Sequence, residues 1–213
     1  MADFFDDRTQ AGQKLLSELK KLNLKSPLII ALPRGGVVLA AEIAKFYKTT
    51  ADILLVRKIG APFNSELAVG AVVEGNPPQT SLNQELIRVL KVDVHYLDVE
   101  TKKQLEEIKR QDQLYRAGRK RASVKDATVV LVDDGVATGA SIRAGLRGLR
   151  HEKPARLILA VPVAPLDTVK ELEKEVDDLI CLTSPEDFKA VGQFYRDFRQ
   201  VTDDEVKRLL AEK

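Results

Sequence analysis

The sequence is poor in the residues that hold transition metals. Among 213 residues it has one cysteine, Cys181, and two histidines. A single cysteine cannot form an internal disulfide, and it is too few for a cysteine-based zinc site. His95 and His151 lie in polar segments that match no catalytic motif. We therefore expect any bound metal to be a hard cation held by oxygen atoms, and a reducing, cytoplasmic setting.

Long apolar runs and a strong net charge are also missing. No stretch approaches the roughly 20 apolar residues that a transmembrane helix needs. Residues 1–7 are acidic and lack the basic start and apolar core of a signal peptide. The formal net charge is only +2, so the overall field does not favour nucleic acid as a partner.

The order of apolar segments predicts an α/β fold. Strands are predicted at 27–32, 52–58, 67–74, 128–132, 156–162 and 178–182. Helices are predicted at 10–23 (capped by Thr9), 37–48, 97–115, 140–150, 166–175 and 202–212. Alternating strands and helices indicate right-handed crossovers. We therefore expect an open, mainly parallel twisted sheet flanked by helices.

The most informative segment is 129–141, with the sequence VVLVDDGVATGAS. A run of buried-strand length ends in two adjacent carboxylates, a glycine-containing loop follows, and a helix then begins. Ligands of open parallel sheets bind beyond the carboxyl ends of the strands. The start of a helix offers free N–H groups and a positive dipole end to a phosphate. Gly139 permits a close approach of the backbone, and the Thr138 and Ser141 hydroxyls add donors.

The acidic pair narrows the choice of ligand. Two carboxylates beside a phosphate cradle would repel a bare phosphate, but they can accept hydrogen bonds from sugar hydroxyls. A ribose 5-phosphate explains both halves of the segment. The alternative is an ordinary strand–turn–helix in which the acidic pair caps the turn. A P-loop would need lysine where Ala140 stands. The G-x-G-x-x-G pattern of dinucleotide sites is absent.

This segment resembles the signature that type I phosphoribosyltransferases use to bind 5-phosphoribosyl-1-pyrophosphate (PRPP). That signature is an apolar strand, two acidic residues, two variable positions and Ala-Thr-Gly-x-Ser/Thr, and every position matches. The resemblance implies that Asp133 and Asp134 hold the ribose hydroxyls. The implied 5′-phosphate residues are Ala137, Thr138, Gly139, Ala140 and Ser141. Hypoxanthine-guanine members have aspartate at position 137, so the resemblance disfavours that acceptor and leaves the acceptor unassigned.

Two other segments resemble the pyrophosphate-binding parts of this family. Residues 31–36, ALPRGG, resemble the pyrophosphate loop, which commonly contains a cis peptide bond not involving proline. Residues 56–58, VRK, at the end of the second predicted strand, resemble the Arg-Lys pair before the mobile catalytic loop, which would start at 60–66. Taken alone, these segments are an ordinary turn and a solvated strand end. The implied pyrophosphate residues are Arg34, Gly35, Gly36, Arg57 and Lys58.

Two further segments have more than one interpretation. Residues 185–198 loosely resemble the hood of purine phosphoribosyltransferases, in which an aromatic ring stacks on the base. Phe188, Phe194 and Tyr195 are the candidates for contact with the acceptor, and packing of a small subdomain is the alternative. The basic segment 110–121 either closes over the pyrophosphate or is the solvated end of a helix.

The resemblance covers nearly the whole chain and is nearest to prokaryotic predicted phosphoribosyltransferases of unassigned acceptor. It implies one domain over 1–213, with a core at about 10–75 and 126–183, an insertion at about 76–125 and a hood at about 184–213. It also implies transfer of the phosphoribosyl group from PRPP to a nitrogenous base or related acceptor, with release of pyrophosphate. Arg34, Arg57, Asp133 and Asp134 would be the catalytic residues, acting by position and charge.

The same resemblance implies Mg²⁺ bound through PRPP, with few direct protein ligands. Family members are often homodimers, although the sequence itself shows no interface. Two other functions stay open. A non-catalytic PRPP sensor would keep the fold and ligand loop. A phosphosugar hydrolase would use the two aspartates as acid and base, which is awkward because adjacent strand residues point to opposite faces.

Overall fold

The computed structural model describes residues 4–212, the side chain of Glu66 excepted. Its central sheet consists of five parallel strands, β1 (Leu28–Ala31), β2 (Asp52–Ile53), β6 (Thr128–Val132), β7 (Arg156–Val163) and β8 (Asp178–Thr183). They are arranged in the order β2-β1-β6-β7-β8. Ala31 at the end of β1 lies opposite Val132 at the end of β6. The predicted parallel α/β architecture is confirmed.

A second sheet is antiparallel and has three strands, β3 (Val56–Ala61), β4 (Asn64–Val73) and β5 (Gln79–Leu82). The prediction of one strand over 52–58 was therefore wrong, because β2 ends at Ile53 and the chain then crosses into this sheet. The backbone groups of Leu55 pair with Glu74 at the crossing, where the Leu55 N–H donates to the Glu74 carboxylate. An unbroken apolar run hides such a change of partner strand.

Seven α-helices connect and flank the two sheets within residues 4–212. They are α1 (Arg8–Leu19), α2 (Gly35–Tyr47), α3 (Gln84–Val89), α4 (Val94–Arg116), α5 (Ala140–His151), α6 (Leu166–Leu172) and α7 (Asp203–Ala211). The cap of α1 is Asp7, whose carboxylate accepts the Gln10 N–H at 2.8 Å. The prediction of Thr9 as the cap was wrong by two positions, because Thr9 already lies inside the first turn.

The strand before the acidic pair is buried on both faces. Val130 and Val132 pack with residues of α1 and α2, whereas Val129 and Leu131 pack with residues of α5. All four are fully buried. Each such side chain contributes about 1.5–3 kcal/mol by leaving water. The central strand is therefore a rigid base for the residues that follow it. None of the helices between residues 4 and 212 combines the length and apolar character needed to cross a bilayer.

Candidate functional site

The two predicted ligand loops meet where β1 and β6 end. The N-terminus of α2 packs against the end of β6 so closely that two glycines are required. A Cβ atom on Gly36 would lie 2.7 Å from the Val132 carbonyl oxygen, and one on Gly35 would collide with the Asp134 carboxylate. The peptide bond between Pro33 and Arg34 is cis, as the resemblance implies. The structure thus brings the predicted pyrophosphate loop beside the acidic pair.

Asp134 is held by Arg8, which sequence analysis did not identify, and by Tyr195, which it considered only for contact with the acceptor. The Arg8 Nε donates to its Oδ2 at 2.7 Å, and the Tyr195 hydroxyl donates to its carbonyl oxygen at 2.6 Å. Arg8 also donates to the Arg199 carbonyl oxygen at 2.8 Å, and its guanidinium carbon lies 3.9 Å from the centroid of the Phe198 ring. Arg8 therefore orients the carboxylate predicted to hold the ribose.

A signal for Arg8 was present in the sequence. It lies on the buried stripe of α1, in line with Ala11, Leu15 and Leu19. An arginine on the apolar face of a helix needs a buried partner, since unpaired charges are costly to bury. The partner itself, 126 positions further along the chain, had no local signal.

Burial dominates the electrostatics of the acidic pair. It raises the pKa of Asp133 well above its usual range, and the charge on Asp134 adds to this effect. Burial also raises the pKa of Asp134, while the Arg8 guanidinium opposes that change. One oxygen of Asp133 accepts the Asp134 N–H at 2.9 Å. Two full negative charges are therefore disfavoured here unless hydroxyl donors or a cation arrive with a ligand.

Within residues 4–212, carbonyl groups of the turn 137–141 accept hydrogen bonds from other residues, whereas the N–H groups of this turn have no acceptor. The Thr168 hydroxyl donates to the Ala137 carbonyl oxygen at 3.2 Å, and Arg143 donates to the Thr138 carbonyl oxygen at 3.3 Å. Gly139 caps α5 with φ of 73°, a backbone conformation that glycine adopts without steric cost. Among residues 4–212, no acceptor pairs with the backbone N–H groups of 137–141. This geometry suits an anion.

Three arginines line a cavity of about 310 Å³ beside the pyrophosphate loop. They are Arg34, Arg57 and Arg110, and Tyr115 and Asp203 complete the wall. The Tyr115 hydroxyl donates to Asp203 at 2.7 Å, and burial raises the pKa of this tyrosine to about 12. Arg110 was part of the basic segment whose role sequence analysis left open. Three guanidinium groups at one cavity favour a multiply charged anion.

Arg57 also borders a second, larger cavity of about 730 Å³, which contains Lys58 and Ser141 in its lining. The Arg57 Nε donates to Gln104 at 3.0 Å, which attaches this strand to α4. Arg57 thus lies between the arginine-lined cavity and the turn 137–141. The sequence placed Arg57 and Lys58 at the end of a parallel strand, but they begin β3 in the antiparallel sheet.

The segment predicted to start a mobile loop, 60–66, forms the turn between β3 and β4. The Tyr96 hydroxyl donates to the Gly60 carbonyl oxygen at 2.9 Å and joins the turn to α4. Phe63 at the tip is fully exposed. The predicted irregular loop is therefore a hairpin in this structure, because the strands pair almost to the turn.

The candidate acceptor aromatics pack together instead of forming an open hood. Phe194 is only 2% exposed and stacks on Phe188 with ring centroids 5.6 Å apart. Tyr195 is 6% exposed and packs against Phe5. Burial therefore argues against base stacking on Phe194 or Tyr195. The half-buried Phe188 stays a prediction.

The basic segment 110–121 divides into parts with different surroundings. Arg116 is 2% exposed and binds Asp52 and Glu74, with distances of 2.9 and 2.8 Å. It joins α4 to both sheets. Arg110 faces the pyrophosphate loop, and 119–121 line another cavity. Neither a simple lid nor a solvated helix end describes this segment.

The acidic pair supplies oxygen donors that a hard cation could use. Within residues 4–212 no cluster of three or more metal-binding side chains occurs. The carboxylates of Asp133 and Asp134 are oxygen donors of the type that Mg²⁺ prefers. Two carboxylates, one of them bound to Arg8, are too few for an all-protein site.

Comparison with known proteins identifies the family of the chain. Residues 80–199 match the family described as Phosphoribosyl transferase domain. The chain belongs to this family. The matched region includes the acidic pair and the phosphate turn of this phosphoribosyl transferase domain, whereas Arg34 and Arg57 precede it. The family predicted from the resemblance is thereby confirmed.

Relatives extend the match to nearly the whole chain. Two Mycobacterium tuberculosis proteins, MT0597 (strain CDC 1551) and Rv0571c (strain H37Rv), are provisionally named phosphoribosyl transferases. Each is 41% identical over 206 residues, which are 97% of this chain and 46% of the relative. The chain therefore spans about half the length of these curated relatives.

Solved structures show the same fold. TT1426 from Thermus thermophilus is 42% identical and superposes with a TM-score of 0.83, covering 97% of both chains. A Neisseria gonorrhoeae protein solved with bound ppGpp is 14% identical, with a TM-score of 0.51 and coverage of 99% of this chain and 97% of its own. The second likeness concerns the fold alone.

Proposed function

We propose that this protein transfers the phosphoribosyl group of PRPP to a nitrogenous base or a related acceptor and releases pyrophosphate. One observation supports this most strongly. The acidic pair, the amide-rich turn 137–141 and the arginine-lined loop lie together at the carboxyl ends of β1 and β6. Their order along this edge matches a ligand with a phosphate, a ribose and a pyrophosphate.

Each part of PRPP has a chemically suited partner in this arrangement. The 5′-phosphate accepts hydrogen bonds from the N–H groups of 137–141 at the start of α5. The ribose hydroxyls donate to Asp133 and Asp134. The pyrophosphate lies against the Gly35-Gly36 turn, where Arg34, Arg57 and Lys58 offset its charge.

The reaction needs positioning and charge more than a protein nucleophile. The bond between C1 and the pyrophosphate oxygen breaks while a nitrogen of the acceptor bonds to C1 and releases its proton to solvent. Positive charge develops on the ribose ring in the transition state. The arginines stabilise the departing pyrophosphate. Mg²⁺, bound through PRPP, would add further charge neutralisation. Asp133 and Asp134 keep the ring oriented through its hydroxyl groups.

Ala137 is consistent with an acceptor other than hypoxanthine or guanine, and the acceptor itself is left unassigned. A cytoplasmic location, expected from the single cysteine, and a homodimer, implied by the family resemblance, are part of the proposal. Both can be tested directly, the first by fractionation of the source cells and the second by sedimentation of the purified protein.

Binding is the first test. PRPP with MgCl₂ should raise the melting temperature of the full-length protein, since a ligand that binds only the folded state stabilises it. The double variant Asp133→Asn/Asp134→Asn should lose this shift. Asp167→Asn, whose side chain is 95% exposed on α6, is the matched control and should keep it. An unchanged shift in the double variant would contradict the assignment of the ribose site.

Turnover is the second test. Pyrophosphate release should be measured with PRPP and a panel of nucleobases and related heterocycles. Release with one acceptor class, and its loss in Arg57→Gln, would support the transferase. Saturable PRPP binding without release from any acceptor would instead favour the non-catalytic sensor.

A further inference from the structure

A third cavity lies outside the proposed PRPP site. It measures about 630 Å³ and is bounded by the C-terminal half of α4, by residues 74–78 between β4 and β5, and by residues 118–122. None of the residues that line it belongs to the proposed PRPP site. Its volume is within the range of about 300–1,000 Å³ typical of small-molecule sites.

Arg121, which lines this cavity, has hydrogen-bond donors that lack an acceptor within residues 4–212. Its Nη1 donates to Glu152 at 2.8 Å. Its Nε and Nη2 atoms are buried and have no hydrogen-bond acceptor within residues 4–212. A carboxylate oxygen of Glu74 lies 3.6 Å from Nε, too far for a hydrogen bond. A buried donor without an acceptor is destabilising, so an anionic group in the cavity would be stabilised once the Arg121 side chain turns these two nitrogens toward it.

The carboxylates around the cavity are already paired with arginines. Arg116 binds both Glu74 and Asp112, and Arg121 binds Glu152. Because arginines offset their charges, these carboxylates repel an incoming anion less than unpaired carboxylates would.

Three more cations line the cavity with no carboxylate partner of their own. Lys109, Arg119 and Lys120 are exposed, and none forms an ion pair with another described residue. Together with Arg121, they create a local excess of positive charge at its mouth. Such an excess raises the local concentration of anions. A group with two negative charges uses this arrangement better than a single carboxylate does.

Part of the cavity lining is apolar. It consists of Leu105 and Ile108 of α4 and Pro78. A purely inorganic anion would leave this surface unused, whereas a planar or aliphatic body would cover it and remove apolar area from water. The cavity therefore matches a ligand with an anionic end and an apolar body.

We propose that this cavity is a binding site for a small phosphomonoester with an apolar body. The phosphate accepts hydrogen bonds from Arg119 and Lys120, and a rotation of the Arg121 side chain brings its unpaired Nε and Nη2 to the same phosphate. The apolar body packs on Leu105 and Ile108. This site is independent of PRPP binding, because it uses different residues and a different side of α4.

AMP is a suitable probe because it joins a phosphomonoester to a flat base. Its binding should be measured by calorimetry on the full-length protein carrying Asp133→Asn/Asp134→Asn, which weakens any binding at the PRPP site. Arg119→Gln/Lys120→Gln in this background should weaken AMP binding by about tenfold or more. The control Lys102→Gln/Lys125→Gln removes two exposed lysines elsewhere and should leave the affinity unchanged.

Arg121→Gln should have the largest effect, and circular dichroism would show whether it still folds. The exposed pair Arg119 and Lys120 keeps the test valid if it does not. Adenosine, which lacks the phosphate, should bind much more weakly than AMP. Equal AMP affinities in the cavity and control variants, or no saturable AMP binding, would overturn the proposal. Neither result would affect the thermal-shift test of PRPP, so the two proposals fail separately.

Discussion

Arg8 in the first helix lies 2.7 Å from the carboxylate of Asp134, 126 positions away in the sequence. Its side chain also donates to the Arg199 carbonyl oxygen and stacks over Phe198. The proposed ribose site is therefore built from three distant parts of the chain. Arg8 acts on the ligand through Asp134, as a positioning residue.

Arg8→Leu should destabilise the protein by about 3 kcal/mol, because it leaves the buried carboxylate of Asp134 without its partner. Urea unfolding at neutral pH measures this change. The control is Arg196→Leu, which removes an exposed pair with Asp6 and should cost less than about 1 kcal/mol. Equal losses in the two variants would show that the buried pair adds nothing beyond a surface pair.

Asp133→Asn should stabilise the ligand-free protein at neutral pH. The folded-state pKa of Asp133 is raised above its unfolded value of about 4. The folded state then binds more protons than the unfolded state between these two values, so the wild type loses stability as the pH rises through this window. Asparagine cannot ionise, and its oxygen can still accept the Asp134 N–H.

The advantage of Asp133→Asn should be absent below about pH 4 and should grow as the pH rises. Melting temperatures of both proteins across this range, without ligand, test the sign. A variant that is equally or less stable at every pH would rule out burial of the charged form as the dominant effect.

Arg116→Met should destabilise the protein by about 3–5 kcal/mol, because it leaves the buried carboxylates of Asp52 and Glu74 without a cation. Chemical unfolding measures the loss. Arg147→Met, which breaks an exposed pair with Glu175, is the control and should change stability by less than about 1 kcal/mol. A loss for Arg116→Met no larger than that of the control would mean that the buried network is not needed for the packing of α4.

Comparison of Gly139→Ala with Gly118→Ala separates the effect of backbone strain on stability from an effect on ligand binding. Both glycines have positive φ, 73° and 85°, so both alanine variants should lose about 1–2 kcal/mol of stability. A Cβ on Gly139 would also lie 3.1 Å from the Thr168 methyl carbon, whereas one on Gly118 would meet nothing within 4 Å. Only Gly139→Ala should reduce the melting shift produced by PRPP with MgCl₂, and a similar reduction in Gly118→Ala would contradict the phosphate site.

The central strand and its loop were predictable because their signals are local. The run 128–132 is buried on both faces of the sheet, and β6 begins and ends where predicted. The acidic pair and the glycines follow from the chemistry of a strand end and a helix start. Strand β5 was missed because its sequence, QTSL, is polar and only half-buried, so it lacks the alternation of a strand packed against a core.

The rest of the site depends on contacts between distant residues. Arg34 and Arg57 were predicted, but Arg110 joins them only because α4 crosses in front of β3. The burial of Phe194 likewise follows from its backbone pairing with Phe5, which no local pattern indicates. Composition and spacing predict residue chemistry near a strand end, whereas they do not predict which distant helix completes the cavity.

The contacts around Asp134 also set the order in which the parts of this site become available during synthesis. All five strands of the central sheet have been translated once residue 183 is made, yet Tyr195, Phe198 and the Arg199 carbonyl oxygen still lie ahead. Arg8 precedes all five of these strands in the chain, yet its contacts with Phe198 and Arg199 form only after those two residues have been translated. The proposed ribose site therefore depends on residues that are translated after the whole central sheet, and its carboxylate is fixed only once they are present.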